Sequence, residues 1–188
     1  MEGGIRAWKG LKAEGPPESG MAYFSPGTKP EELMGLAWFL EDGSRKFYSE
    51  LAANLTDQEA KDLYSQLTEA EEHHQASLRR LYEEFSAQVS APGFPGSVLP
   101  AGEEGGDVME GGMRVSEALQ WVKGKRVTEI LELSLSLETN AYDLYLKMER
   151  QVKDEYSAKV FHLLSAEEKK HLERLSALFE KESKSSKG

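Results

Sequence analysis

At 188 residues the chain has the length of one domain with a flanking segment, enough to bury a core without disulfides or other staples. Its 39% hydrophobic and 30% charged residues fit a soluble helical protein, and a formal charge of −10 argues against nucleic acid as a partner. The absence of cysteine excludes a disulfide framework, thiol catalysis and a cysteine-ligated iron–sulfur cluster. No apolar run approaches the roughly 18 residues of a membrane span. Met1-Glu2-Gly3 does not open a signal peptide, so no membrane partner and a cytoplasmic location are expected.

Residues 1–29 form an N-terminal arm distinct from the helical remainder of the chain. Gly3 to Leu11 fits a short amphipathic helix, broken by Gly15-Pro16-Pro17. A first long helix is expected from Pro30, tolerated in a first turn, to about Asn54. Every third or fourth residue gives its packing seam: Met34, Ala37, Glu41, Ser44, Tyr48, Leu51, Leu55. Gly43 interrupts this helix; a mid-helix glycine costs about 1 kcal/mol relative to alanine, so close packing or a bend is expected there. Thr56-x-x-Glu59 reads as a capping box that opens a second helix, running to about Val89. The short turn makes the two helices antiparallel neighbours. The second seam is Ala60, Tyr64, Leu67, Glu71, His74, Leu78, Leu81, Phe85; His73 falls off it and is expected at the surface.

Residues 90–114 break the pattern. Pro92-Gly93, Pro95-Gly96, Pro100 and Gly105-Gly106 exclude a long helix, and Glu103, Glu104, Asp107 and Glu110 make the stretch acidic and, by expectation, solvated. Ser116 is placed to cap a short helix through about Lys123, with Trp121 and Val122 packing inward. A third long helix is expected over about 127–152, with the seam Leu131, Ser134, Glu138, Ala141, Tyr145, Met148, Val152. A fourth starts at Asp154 and runs to about 182, with the seam Ser157, Phe161, Leu164, Glu168, His171, Leu175, Leu178 and with His162 off it. Residues 183–188 are a polar tail expected to fray.

The second and fourth helices carry one pattern. Leu67-x-x-x-Glu71-x-x-His74-x-x-x-Leu78 returns as Leu164-x-x-x-Glu168-x-x-His171-x-x-x-Leu175, offset by 97 residues. The same offset carries Glu41 onto Glu138 and Tyr48 onto Tyr145, with no gap, so the chain is an internal repeat of two helix pairs. Each seam is apolar or small and is interrupted by Glu, or by Glu and His. Four carboxylates and two imidazoles therefore converge in one core.

Unpaired buried carboxylates are severely unfavourable. Two divalent cations would neutralise four of them, and oxygen plus imidazole nitrogen suits iron or manganese, zinc less specifically. The i, i+3 spacing lets Glu and His reach one ion. Ser44 and Ala141, a turn beyond Glu41 and Glu138, are small enough to leave room for an ion and a bound oxygen species. Tyr48 and Tyr145 are candidates for hydrogen-bonding a ligand carboxylate two turns away; plain core packing is the alternative. A lone Glu-x-x-His is a weak signal in so acidic a chain. The common register and seam placement of all six residues set it against the alternative, a metal-free bundle with solvated polar seams.

Over about residues 30–182 these motifs resemble the ferritin-like di-iron family and, within it, the rubrerythrin-like branch. The resemblance implies an all-α, ferritin-like four-helix bundle with a long crossover between the second and third long helices. It implies two iron ions held by Glu41, Glu71, His74, Glu138, Glu168 and His171. Rubrerythrins usually carry a further glutamate three residues after the third-helix glutamate, where this chain has Ala141; many also carry a cysteine-rich module. Slower peroxide turnover than in proteins retaining that glutamate is expected. The arm from Glu2 to Gly20 resembles the C-terminal tail of a rhodanese domain through Gly3-Gly4-x-x-Ala7-Trp8, without the cysteine nucleophile; an arm whose Ile5 and Trp8 pack on the bundle is the alternative.

Three functions are expected from these residues. The first is an oxidoreductase reacting with peroxide or oxygen and drawing on an external electron donor. The second is an iron-handling or ferroxidase protein, and the third a structural metal-binding bundle. The long crossover also suits a homodimer in which the helix pairs are swapped.

Overall fold

The computed structural model describes residues 29–89, 94–95, 107–153 and 155–185. The arm with its rhodanese-like motif, most of the crossover, Asp154 and the last three tail residues lie outside them. The described residues form five α-helices: α1 (Pro30–Asn54), α2 (Gln58–Val89), α3 (Val115–Trp121), α4 (Val127–Gln151) and α5 (Glu155–Ser185). A 3-10 turn, Glu110–Gly112, precedes α3. No helix among the described residues is long and apolar enough to cross a membrane.

Pro30 occupies the first turn of α1, and the Lys29 amide donates to Glu32 Oε2 at 3.3 Å. At α2 the cap is Asp57, not Thr56: Asp57 Oδ1 accepts from the Ala60 amide at 2.8 Å. A cap at Asp57 puts Ala60, not Glu59, three residues on, so the expected capping box does not form. α3 begins one residue before Ser116, and its cap comes from outside: Asp107 accepts from the Ser116 amide at 3.0 Å and from its hydroxyl at 2.6 Å. α5 continues past the expected end near Glu182, where Lys184 pairs with Glu180 one turn back.

α1 packs on α2 and α4 on α5 as hairpins joined by short turns, and α2 meets α5 to close a four-helix bundle. Two apolar clusters fill it. One includes Met34, Leu78, Leu81, Met148 and Leu164; the other includes Leu51, Leu67, Leu131, Leu175 and Leu178. Fully burying each such side chain is worth about 1.5–3 kcal/mol. The 97-residue offset exchanges one cluster for the other, so the repeat is a pseudo-two-fold of the core. One exchange is chemical. Tyr64 and Ser134 share a buried hydrogen bond of 2.9 Å, and their counterparts are Phe161 and Ala37. The polar pair is replaced as a pair, leaving no buried hydroxyl alone.

The crossover is pinned at two places. Phe94 packs on Tyr82, ring centroids 4.6 Å apart, and the segment 107–114 folds against α1 and α4. Gly43 makes the second contact possible: a Cβ there would lie 2.2 Å from the Val108 carbonyl oxygen and 2.7 Å from Met109 Cα. The mid-helix glycine is thus a site of close backbone approach.

Two stability measurements by urea unfolding check this packing. Gly43→Ala should destabilise by about 1–3 kcal/mol, because the clash outweighs the gain in helix propensity; a stabilised variant would mean the crossover does not sit on α1. Tyr64→Phe alone should cost about 1–2 kcal/mol by stranding the Ser134 hydroxyl. Adding Ser134→Ala should recover part of that loss, and strict additivity would show that the two hydroxyls do not pair.

Candidate metal centre

The interrupted seams meet in one layer between the two apolar clusters. Glu41, Glu71, His74, Glu138, Glu168 and His171 are all at most 3% exposed. The structure thus brings together all six residues singled out from the repeat. His74 Nδ1 lies 2.9 Å from Glu41 Oε2, 3.0 Å from Glu71 Oε2 and 3.9 Å from Glu168 Oε1. His171 Nδ1 lies 3.2 Å from Glu138 Oε2, 3.4 Å from Glu168 Oε2 and 3.6 Å from Glu71 Oε1. Each Nδ1 thus faces three carboxylates, and the repeat maps one set onto the other. Glu71 and Glu168 belong to both sets. The two rings stack at 5.2 Å with 17° between their planes.

The tyrosines pair across the halves. The Tyr48 hydroxyl donates to Glu138, and the Tyr145 hydroxyl donates to Glu41 Oε1 at 3.4 Å. The partner two turns away on the same helix is not used, because seven residues span about 10 Å of helix. His73 is exposed, and so is His162, which pairs with Glu149 at 3.0 Å.

One residue of the layer was hidden in the sequence. Glu110, expected in a solvated loop, is only 2% exposed. Its Oε2 accepts from the Ser44 hydroxyl at 3.2 Å, and its amide donates to the same hydroxyl oxygen at 3.3 Å. Ser44 therefore holds a carboxyl group rather than leaving space beside Glu41. The 3-10 turn aims Glu110 inward because Gly111 takes φ 75°, a conformation that favours glycine. The available signal was Gly43-Ser44 on one side and Glu110-Gly111-Gly112, flanked by Met109 and Met113, on the other.

Burial pushes every carboxyl here toward its neutral form, and partners decide the outcome. For Glu41 burial is overcome by His74, which holds it below the usual range. For Glu138 burial is overcome by hydrogen bonding from Glu168, together with His171 and Tyr48, and its pKa is about 2. Glu71 is pushed well up by burial and by the charge of Glu41, and Glu168 by burial and the charges of Glu110 and Glu138. Glu110 rises well above the carboxylate range by burial and the charge of Glu41. His74 is raised: burial opposes its charge, but Glu41, Glu167 and Glu138 together outweigh it. Tyr48 and Tyr145 are pushed well up, first by burial and then by nearby carboxylates.

Among the described residues, no hydrogen-bond donor is aligned with either oxygen of Glu71 or Glu168. Buried oxygens without donors are costly unless protons or cations satisfy them. The sets Glu41–His74–Glu168, Glu138–Glu168–His171 and Glu71–His74–His171 each place three ligand atoms within 4.8 Å of one another. The donors fit iron or manganese, and zinc less specifically.

A family model described as rubrerythrin matches residues 32–119 and 129–187. A solved structure of a hypothetical protein from Pyrococcus furiosus is similar, with 28% sequence identity and a TM-score of 0.60. That match covers 88% of this chain and 95% of the other. No curated protein matches. Together with the helix order, the family match makes the fold a ferritin-like all-α bundle.

The charge states set the pH response of the metal-free protein. Glu71 and Glu168 bind protons in the folded state that unfolded carboxyls release near pH 4.3, roughly. Their contribution is fully present below that value and is lost as pH rises toward their raised folded values. The contribution of raised His74 is likewise present below about pH 6.5 and lost above it. Glu41 and Glu138 act oppositely, losing theirs as pH falls through the acid range. The melting temperature of chelator-treated protein should therefore fall between about pH 5 and pH 8, while that of metal-loaded protein should not, since cations replace the protons. A metal-free protein that grows more stable over this range would contradict the assignment.

Proposed function

We infer that this chain, which belongs to the rubrerythrin family, is a di-iron carboxylate oxidoreductase that reacts with peroxide or oxygen. The observation carrying this reading is the pair of imidazoles, each facing three carboxylates, with Glu71 and Glu168 common to both sets. Glu41, Glu71 and His74 would hold one ion, and Glu138, Glu168 and His171 the other. Glu71 and Glu168 are placed to serve both. Manganese and zinc are the other metals this donor set suits. When bound, an iron pair supplies the electrons that reduce the oxidant and the positions at which it binds.

The protein's own groups do the rest. Tyr48 and Tyr145 fix Glu138 and Glu41 from the opposite half, which sets carboxylate orientation and limits rotation. The apolar clusters on either side keep the layer dry and strengthen electrostatic interactions within it. Ligands this deeply buried fit a small oxidant better than a bulky organic substrate. The chain carries no cysteine and no further recognisable redox group, so repeated turnover requires an external electron donor.

Stopped-flow oxidation of the anaerobic ferrous protein by hydrogen peroxide and by oxygen tests the reading. Oxidation should be fast with at least one of them. It should slow by about 10–100-fold in Tyr48→Phe or Tyr145→Phe, the usual effect of removing a group that orients a metal ligand. Glu168→Gln should lower bound iron as well as rate. Iron-loaded protein inert to both oxidants would leave a structural metal bundle as the reading. Rapid oxidation by oxygen that a donor cannot turn into repeated cycles would favour iron handling.

A further inference from the structure

We propose that Glu110, supplied by the crossover rather than by a bundle helix, is a seventh metal-binding residue, serving the ion held by Glu41, Glu71 and His74. It would make the two ions of the pair inequivalent. The proposal rests on the dinuclear reading above and adds a ligand that the Glu and Glu-x-x-His repeat does not contain.

Three observations carry it. A carboxylate oxygen of Glu110 lies with one from Glu41 and one from Glu71, all within 4.8 Å of one another. Glu110 is 2% exposed, and its two oxygens differ: Oε2 is held by Ser44, while buried Oε1 has no aligned donor. The Tyr145 hydroxyl also lies within hydrogen-bonding reach of the Glu110 carboxyl. The group is thus anchored by Ser44 and Tyr145, while Oε1, which has no aligned donor among the described residues, is left for a cation. The backbone also brings this side chain in by specific means. Gly43 lets the crossover touch α1, Gly111 turns the chain at φ 75°, and Met109 and Met113 close the turn through a 3.0 Å hydrogen bond.

A purely structural role accounts for less. A carboxyl serving only to pin the loop through Ser44 and Tyr145 has no reason to point its other oxygen at two more carboxylates. Such burial is unfavourable unless a proton or a cation satisfies the group, and the convergence of three carboxyl groups on one point favours the cation. The other half has no equivalent. Ala141 stands at the repeat position of Ser44 and has no hydroxyl with which to hold a carboxyl. No carboxylate from outside the four long helices joins Glu138, Glu168 and His171 among the described residues.

Zinc, which undergoes no redox change, is the probe. In crystals of the full chain loaded with zinc, anomalous scattering should locate two ions. A Glu110 oxygen should lie about 2.0–2.2 Å from the one beside His74, the usual zinc–carboxylate distance. Calorimetric titration of wild type should resolve two binding steps. Glu110→Gln should weaken one by about tenfold or more, at least what loss of a supporting partner costs, and leave the other within about threefold. Ser44→Ala, which keeps the carboxylate, should have a smaller effect. The wild-type crystal makes the test independent of how the variants fold. Two bound ions with Glu110 remote from both, or two steps unchanged in Glu110→Gln, would overturn the inference and leave the metal centre standing. A wild type that binds no zinc, iron or manganese would overturn the dinuclear reading itself, and this inference with it.

Discussion

The structure depends on keeping several carboxyl groups in one dry layer. Glu41, Glu71, Glu110, Glu138 and Glu168 are buried, and among the described residues two imidazoles, two tyrosine hydroxyls and one serine hydroxyl lie close enough to answer them. Charge is distributed unevenly as a result. Glu41 and Glu138, which have the imidazole and tyrosine partners, are held below the usual carboxylate range; Glu71, Glu168 and Glu110 are pushed well above it by burial and by the charge of neighbouring carboxylates. The helices must be long enough to flank this layer with apolar packing at both ends. The two clusters supply the free energy that tolerates so polar a centre.

The repeat is kept where the layer requires it and relaxed where packing allows. The six buried Glu and His positions and their tyrosines match across the 97-residue offset. Away from the layer, Tyr64 with Ser134 becomes Phe161 with Ala37, a change that is harmless only when both partners change. The hydrogen bonds from Tyr48 to Glu138 and from Tyr145 to Glu41 tie the halves together, so neither hairpin completes its own half of the layer.

How much of this was legible in the sequence depended on the distance over which each feature is determined. Helix faces are local: the 3.6-residue period places Glu41, Glu71, His74, Glu138, Glu168 and His171 inward without further information. The choice of Asp57 over Thr56 as the α2 cap is also local, but the two differ by one residue of helix phase, which composition does not decide. The tyrosine partners could not be read because they lie in the other half. Glu110 was least legible. It has no helical period, sits in an acidic stretch that reads as solvated, and owes its burial to Gly43, some seventy positions earlier in the chain. The helix cost of Gly43 points to close packing or a bend, but nothing local says which backbone rests on it.

Joining the two hairpins by a single crossover has a consequence for symmetry. Two identical hairpins associating as separate chains would present every loop side chain twice, once to each half of the layer. A single covalent connection exists once. It can bring Met109 and Glu110 over the Gly43–Ser44 face of α1 without placing a second carboxyl over Ala141. Fusion thus allows what duplication alone forbids: two halves alike in backbone and principal side chains that differ in the company they keep, with the difference written into the connecting segment.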